Sequence, residues 1–152
     1  MVLLNNKKLL SLRTIEVLKV VKSKIEVIAI ILVSLMALLQ GFYGIFSYLE
    51  PSGFATVRGT ELFSHLDADW VIIYGSRTIF ITLVLGLLII KKQYSILMWC
   101  AIFGVAMPVT DGVLAYQADA PLKVIYKHIA TVLYLLVTFY VLKLMVSRCS
   151  GK

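Results

Sequence analysis

Polar and apolar positions alternate too rarely along this chain to give an amphipathic period. Apolar residues come instead in four runs long enough to cross a bilayer. Roughly 20 mostly apolar residues in a helix span a hydrocarbon core of about 30 Å. The first run, IEVIAIILVSLMALLQGFYGIF, covers about Ile25 to Phe46 and has one acid, Glu26, at its start. The second runs from about Trp70 to Ile90 with a single charge, Arg77; the third from about Tyr94 to Leu114, with Asp111 near its end. The fourth runs from about His128 to Val146, and Lys143 is close enough to its end to reach the interface. The links are about 23, 3 and 13 residues, so neighbouring helices are expected to run antiparallel. The predicted fold is all-α: a polytopic membrane protein built as an antiparallel four-transmembrane-helix bundle. The remaining residues are a basic N-terminal segment, 1–24, and a short tail, 147–152.

Composition narrows the class further. The 152 residues are 61% hydrophobic and 15% charged, against roughly 25% charged in a soluble domain. Too few polar side chains remain to cover a water-facing surface. The net charge of +7 therefore points to lipid headgroups rather than nucleic acid. Eleven basic residues lie in the N-terminal segment, the second-to-third link and the C-terminal end. Three (Arg58, Lys123 and Lys127) lie on the other side, with Glu50, Glu61, Asp67, Asp69 and Asp119. Both termini are thus expected in the cytoplasm. The apolar run after the basic segment is span-length and lacks a small-x-small cleavage site, unlike a signal peptide. Residues 1–24 read either as an interfacial helix on the anionic leaflet or as a basic tail that sets orientation.

Small residues recur at helical spacing. Cys100, Gly104 and Pro108 on the third span, Thr78, Thr82 and Gly86 on the second, and Ala37 and Gly41 on the first are expected to let neighbouring helices approach. Cys100 and Cys149 lie about a leaflet apart and should not pair; juxtamembrane Cys149 is a candidate for reversible acylation. Glu50-Pro51-Ser52-Gly53 reads as a helix stop and turn. His65, Asp67 and Asp69 alternate as metal ligands on a strand would, but the two aspartates are better placed to cap the second helix. No metal site is expected, and the chain has no nucleophile elbow, phosphate loop, Cys-x-x-Cys or His-x-x-x-His pair.

Ionisable groups inside spans cost several kcal/mol, so each needs a reason. Arg77, seven residues into the second run, lies roughly 10 Å below its outer end. Asp111, His128 and Tyr43 fall in the same layer, and Tyr74 lies three residues before Arg77. Two readings follow. In one, Arg77 and Asp111 form a structural lock that fixes helix register, in a non-catalytic accessory subunit docked on a membrane protein partner. In the other they form an outward-facing pocket. There Arg77 holds an oxygen, Asp111 and His128 move a proton, and Tyr43, Tyr74 and Thr131 contact a small amphiphile or quinone-like molecule. A transporter is a weaker fit, since one bundle without broken helices or repeats offers little for alternating access. No cofactor can be read from the chain, and nothing in it names a reaction.

These residues also carry a resemblance. Tyr74-Gly75-Ser76-Arg77-Thr78 leading to Leu83-Val84-Leu85-Gly86 resembles the Gly-x-Arg second helix of small four-helix membrane proteins grouped as a domain-of-unknown-function family near the DoxX-like proteins. Met107-Pro108-Val109-Thr110-Asp111 resembles that family's Pro-x-x-Asp, and Lys127-His128-Ile129-Ala130-Thr131 the histidine opening its fourth helix. The first helix ending between Phe46 and Pro51 fits as well. The resemblance covers about residues 25–146 and implies a fold and a shared polar triad, with no substrate. Relatives often carry an acid directly after the arginine, where this chain has Thr78.

Overall fold

In a computed structural model of the chain, the backbone is described for residues 2–60, 62 and 67–150, and side chains for residues 24–60, 62 and 67–147. His65 and the side chain of Cys149 lie outside these, and so do the expectations resting on them. The described residues form six helices: α1 (Val2–Leu49), α2 (Pro51–Arg58), α3 (Ala68–Ile90), α4 (Tyr94–Gly104), α5 (Ala106–Gln117) and α6 (Leu122–Ser150). The described residues include no strand. Four segments are long and apolar enough to cross a membrane: Lys24–Leu49, Ala68–Ile90, Tyr94–Gln117 and Leu122–Ser147. Their outer faces are apolar: Leu38, Phe80, Ile90 and Phe103 are each at least 66% exposed. So large an exposed apolar surface belongs in lipid. The protein is a membrane-embedded, multi-pass helical bundle.

Two local features depart from the sequence expectation. Pro51 does end α1, but it also opens α2, because proline's fixed φ and missing N–H suit the first position of a helix. The third span is broken between α4 and α5 at Val105. Pro108 has no N–H to offer the Gly104 carbonyl, so the backbone tightens, with the Val105 N–H reaching the Ile102 carbonyl at 3.3 Å.

Helix α1 packs along α3 and α6, and α6 packs along both α4 and α5. The α1–α3 contact is close because both helices present small residues. A Cβ on Gly44 would lie 2.7 Å from Ile79, and one on Gly41 would lie 3.2 Å from Thr82. Thr82 also donates to the Ala37 carbonyl at 3.3 Å. Gly75 faces Ser47, which is fully buried and holds the Gly44 carbonyl at 2.7 Å. The expected small-residue contact therefore forms at Ala37, Gly41 and Thr82, and Thr78 is buried. It does not form at Gly86, around which there is open space. Gly75→Ala should cost about 1–3 kcal/mol through overpacking against Ser47, whereas Gly86→Ala should add up to about 1 kcal/mol of helix propensity. Equilibrium unfolding in mixed micelles measures both, and equal effects would contradict this placement.

At one end of the bundle, Ala29, Val33, Leu97, Ala101, Leu142 and Met145 form an apolar core. Tyr94 donates to Glu26 there at 2.9 Å, which accounts for the acid at the start of the first span. Midway along, Tyr134 ties α6 to the Leu32 carbonyl at 2.7 Å. The other end, where α2 sits against α1 and α3, holds the polar groups.

Candidate functional site

Helix α2 brings in a charge that its sequence position disguises. Phe54 and Ala55 are its buried residues. Arg58 lies four and three residues further on, hence on the same face. Gly59 then closes the helix in the left-handed region (φ 87°), and a Cβ there would come within 2.8 Å of Val124 on α6. The turn therefore presses against α6 and points Arg58 inward, where its guanidinium forms an ion pair with Asp111 of α5. The Arg58 guanidinium also lies 5.1 Å from the Tyr74 ring centre and 5.8 Å from that of Phe54, within cation–π range. Phe54 and Tyr74 are themselves 5.3 Å apart, and Tyr43 meets Phe54 edge-on at 6.0 Å. Lys127 donates to the Val57 carbonyl, fixing the same turn to α6.

This corrects the expected lock. Asp111 is paired with Arg58, and Arg77 is exposed with no ion pair among the described residues. The reason is angular. Gly75, Ile79 and Thr82 form the face of α3 turned to α1, and Arg77 lies about 160° from both Gly75 and Ile79. That rotation takes it out of the bundle.

His128 is 4% exposed and lies six residues into the Leu122–Ser147 span, which begins earlier than the sequence reading placed it. Its ring lies beside the Arg58 backbone and feels the charges of Arg58, Asp111 and Lys127. A Cβ on Gly112 would come within 3.3 Å of His128 Cβ, so this glycine lets α5 approach the histidine closely. The His128 Nε2 atom is buried and has no hydrogen-bond partner among the described residues. Buried polar atoms are rarely left so, because the desolvation goes uncompensated.

His128 lines a small cavity of about 70 Å³ together with Tyr43, Arg58, Tyr74, Asp111 and Thr131, with Gln40 and Lys127 completing its polar lining. Of the six candidate residues read from the sequence, five line this space; Arg77 does not. The Thr131 hydroxyl donates to the Lys127 carbonyl at 2.9 Å, leaving its oxygen lone pairs as acceptors. The residues missed are Arg58, Lys127 and Gln40. Arg58 was legible in principle, through its spacing from Phe54 and Ala55 in a run that ends at a glycine.

A second space of about 400 Å³ lies between α3 and α4, with α1 and α6 at its back, and its lining is almost wholly apolar. It exists because α3 touches α4 only slightly. Cys100, Gly104 and Pro108, expected to seat a neighbouring helix, line this cleft; their small size widens it. The two spaces adjoin: Met36, Gln40, Met107, Pro108 and Thr131 line both.

A membrane-embedded helical fold with a polar cavity opening into an apolar cleft is the class these features define. Residues 37–142 match the family described as Domain of unknown function (DUF4267), and the chain belongs to that family. That match by itself does not link the chain to the DoxX-like proteins. No curated protein and no solved structure matches the chain.

Proposed function

We propose that the protein binds a small amphiphile inside the bundle, its polar head in the Arg58–Asp111–His128 cavity and its apolar part in the cleft. The observation that carries this reading is the buried, unpartnered Nε2 of His128, a residue lining the smaller of two adjoining spaces. The larger space falls in the size range of small-molecule pockets, which are mostly apolar with a few fixed polar groups. Gln40 and Thr131 at the junction, with Tyr43 and Tyr74 deeper in, offer donors and acceptors to a head group. Asp111 and His128, flanking the same cavity, are the pair that would exchange a proton with the head if binding leads to chemistry.

A second reading has an observation of its own. The Arg58–Asp111 pair and the Lys127–Val57 bond tie the α2 turn to α5 and α6, as a structural lock in an accessory subunit would.

Photolabelling separates the two. The probe is a hexadecanol carrying a mid-chain diazirine, added to the protein in phosphatidylcholine nanodiscs. Adducts are expected on cleft residues such as Val84 and Cys100. Val84→Trp, which fills the cleft without altering charge, should reduce them at least about fivefold, equivalent to about 1 kcal/mol of lost binding. Adducts spread evenly over the outer face and unchanged by Val84→Trp would leave only the lock.

A further inference from the structure

Arg77 has no role in the site just described, yet its position needs a physical account. It lies nine residues into α3, about 13 Å along that helix. It is exposed on a surface that otherwise offers lipid Trp70, Ile73 and Phe80. A cation there is costly unless an anion meets it or its side chain reaches the interface. No acid of the described residues does so.

What lies next to it is the mouth of the cleft. Phe80, Ile81 and Val84, at three, four and seven residues beyond Arg77, line the cleft from α3, and Phe103 lines it from α4. Phe80 and Phe103 are 66% and 70% exposed, so the rim opens sideways toward lipid rather than only toward an end of the bundle. Arg77 is therefore the charged residue of α3 at this opening. It is also within one turn of Tyr74, which lines the polar cavity, so an anion held at Arg77 needs little movement along the helix axis to reach that cavity.

The polar cavity favours the same sign of charge. Arg58 and Lys127 supply two positive charges and Asp111 one negative. Its volume of about 70 Å³ is several times what one water needs. It suits a carboxylate, whereas a phosphodiester with its attached headgroup would not fit.

We infer that the ligand is a single-chain carboxylate amphiphile, a fatty acid, admitted from the bilayer through the opening between α3 and α4, with Arg77 as the positively charged residue that first holds its head. This rests on the binding reading above. The head passes from Arg77 to the Arg58–His128 end, and the chain follows into the cleft. Between Thr131 and Thr138, both lining residues, the cleft runs about 10 Å along α6, so a long chain leaves its end in the lateral opening.

The test uses the full chain in phosphatidylcholine nanodiscs, with two probes alike except at the head: a diazirine-bearing hexadecanoic acid at pH 8.5 and the matching alcohol. The acid should label the cleft faster than the alcohol. Arg77→Gln should slow acid labelling about fivefold, the scale of one lost cation at a membrane surface, and leave alcohol labelling unchanged. Arg77→Lys should restore the acid rate. Equal labelling by the two probes, or an Arg77→Gln effect shared by both, overturns the inference while leaving amphiphile binding intact. Loss of cleft labelling by both probes in the unaltered protein removes the binding reading itself. If Arg77 instead joins two copies of the chain, Arg77→Gln abolishes a cross-linked dimer without changing acid labelling, and that outcome also overturns the inference.

Discussion

Asp111→Leu should destabilise the bundle by about 3 kcal/mol, and Arg58→Leu introduced alongside it should recover most of that loss. Removing one partner of a buried ion pair strands the other charge, at a cost of roughly 3–5 kcal/mol, whereas replacing both with apolar side chains is often close to neutral. The Arg58 and Asp111 side chains are 18% and 23% exposed, which places the expected cost at the low end of that range. Arg58 is held against Phe54 and Tyr74 as well as Asp111, so it cannot swing freely to water when the carboxylate goes. Arg58→Leu alone should cost less, because a stranded carboxylate can take up a proton and become neutral. Equilibrium unfolding in mixed detergent micelles gives the three values and the coupling between them. The control is Arg77→Leu combined with Asp111→Leu: with no contact between these residues, the two effects should add within about 0.5 kcal/mol. Coupling of Asp111 to Arg77 rather than to Arg58 would overturn the ion pair assigned here.

That control marks where the sequence was and was not legible. The four spans were readable because lipid imposes one requirement on every residue of a crossing segment, and a 20-residue apolar run has few other uses. The end of the bundle that gathers polar groups was also readable, since Tyr43, Tyr74, Asp111, His128 and Thr131 fall at matching depths on four spans and all line one cavity. Depth follows from residue count, but rotation about a helix axis does not. Arg77 has the right depth and the wrong rotation, and the residues that fix its rotation are Gly75, Ile79 and Thr82 against α1. In a span that is apolar on all sides, no hydrophobic stripe reveals the inward face. Arg58 shows the converse. It lies outside every apolar run and so read as a charge that orients the protein, but eight residues of helix beginning at Pro51 turn it back into the bundle. The stripe Cys100–Gly104–Pro108 shows a third limit, since small residues permit a close approach without requiring one. Here Leu135 of α6 comes within van der Waals reach of Gly104, yet the stripe also lines the cleft that remains beside it.

His128→Leu should make the ligand-free protein more stable by about 1 kcal/mol while reducing amphiphile capture about tenfold. The two effects have one cause. Nε2 is buried and has no partner among the described residues, and an uncompensated polar group of this kind costs about 1–3 kcal/mol. Leucine removes that penalty and approximates the ring's volume, giving back part of the gain through imperfect packing against Gly112, where α5 and α6 approach closely. The polar contact that a ligand head would make with Nε2 is lost at the same time, and a tenfold loss corresponds to about 1.4 kcal/mol. His128→Gln separates hydrogen bonding from proton exchange. An amide keeps a donor and an acceptor near the same position but cannot take up a proton in the physiological range. If binding alone matters, His128→Gln should retain most photolabelling. If His128 passes a proton to the head group, labelling should persist while the cellular phenotype of the null strain is not rescued. Unfolding of delipidated protein, together with labelling by the hexadecanol probe, measures both arms. A His128→Leu protein several kcal/mol less stable than the original would mean that Nε2 is permanently satisfied by internal water and that the histidine belongs to the scaffold, as the lock reading requires.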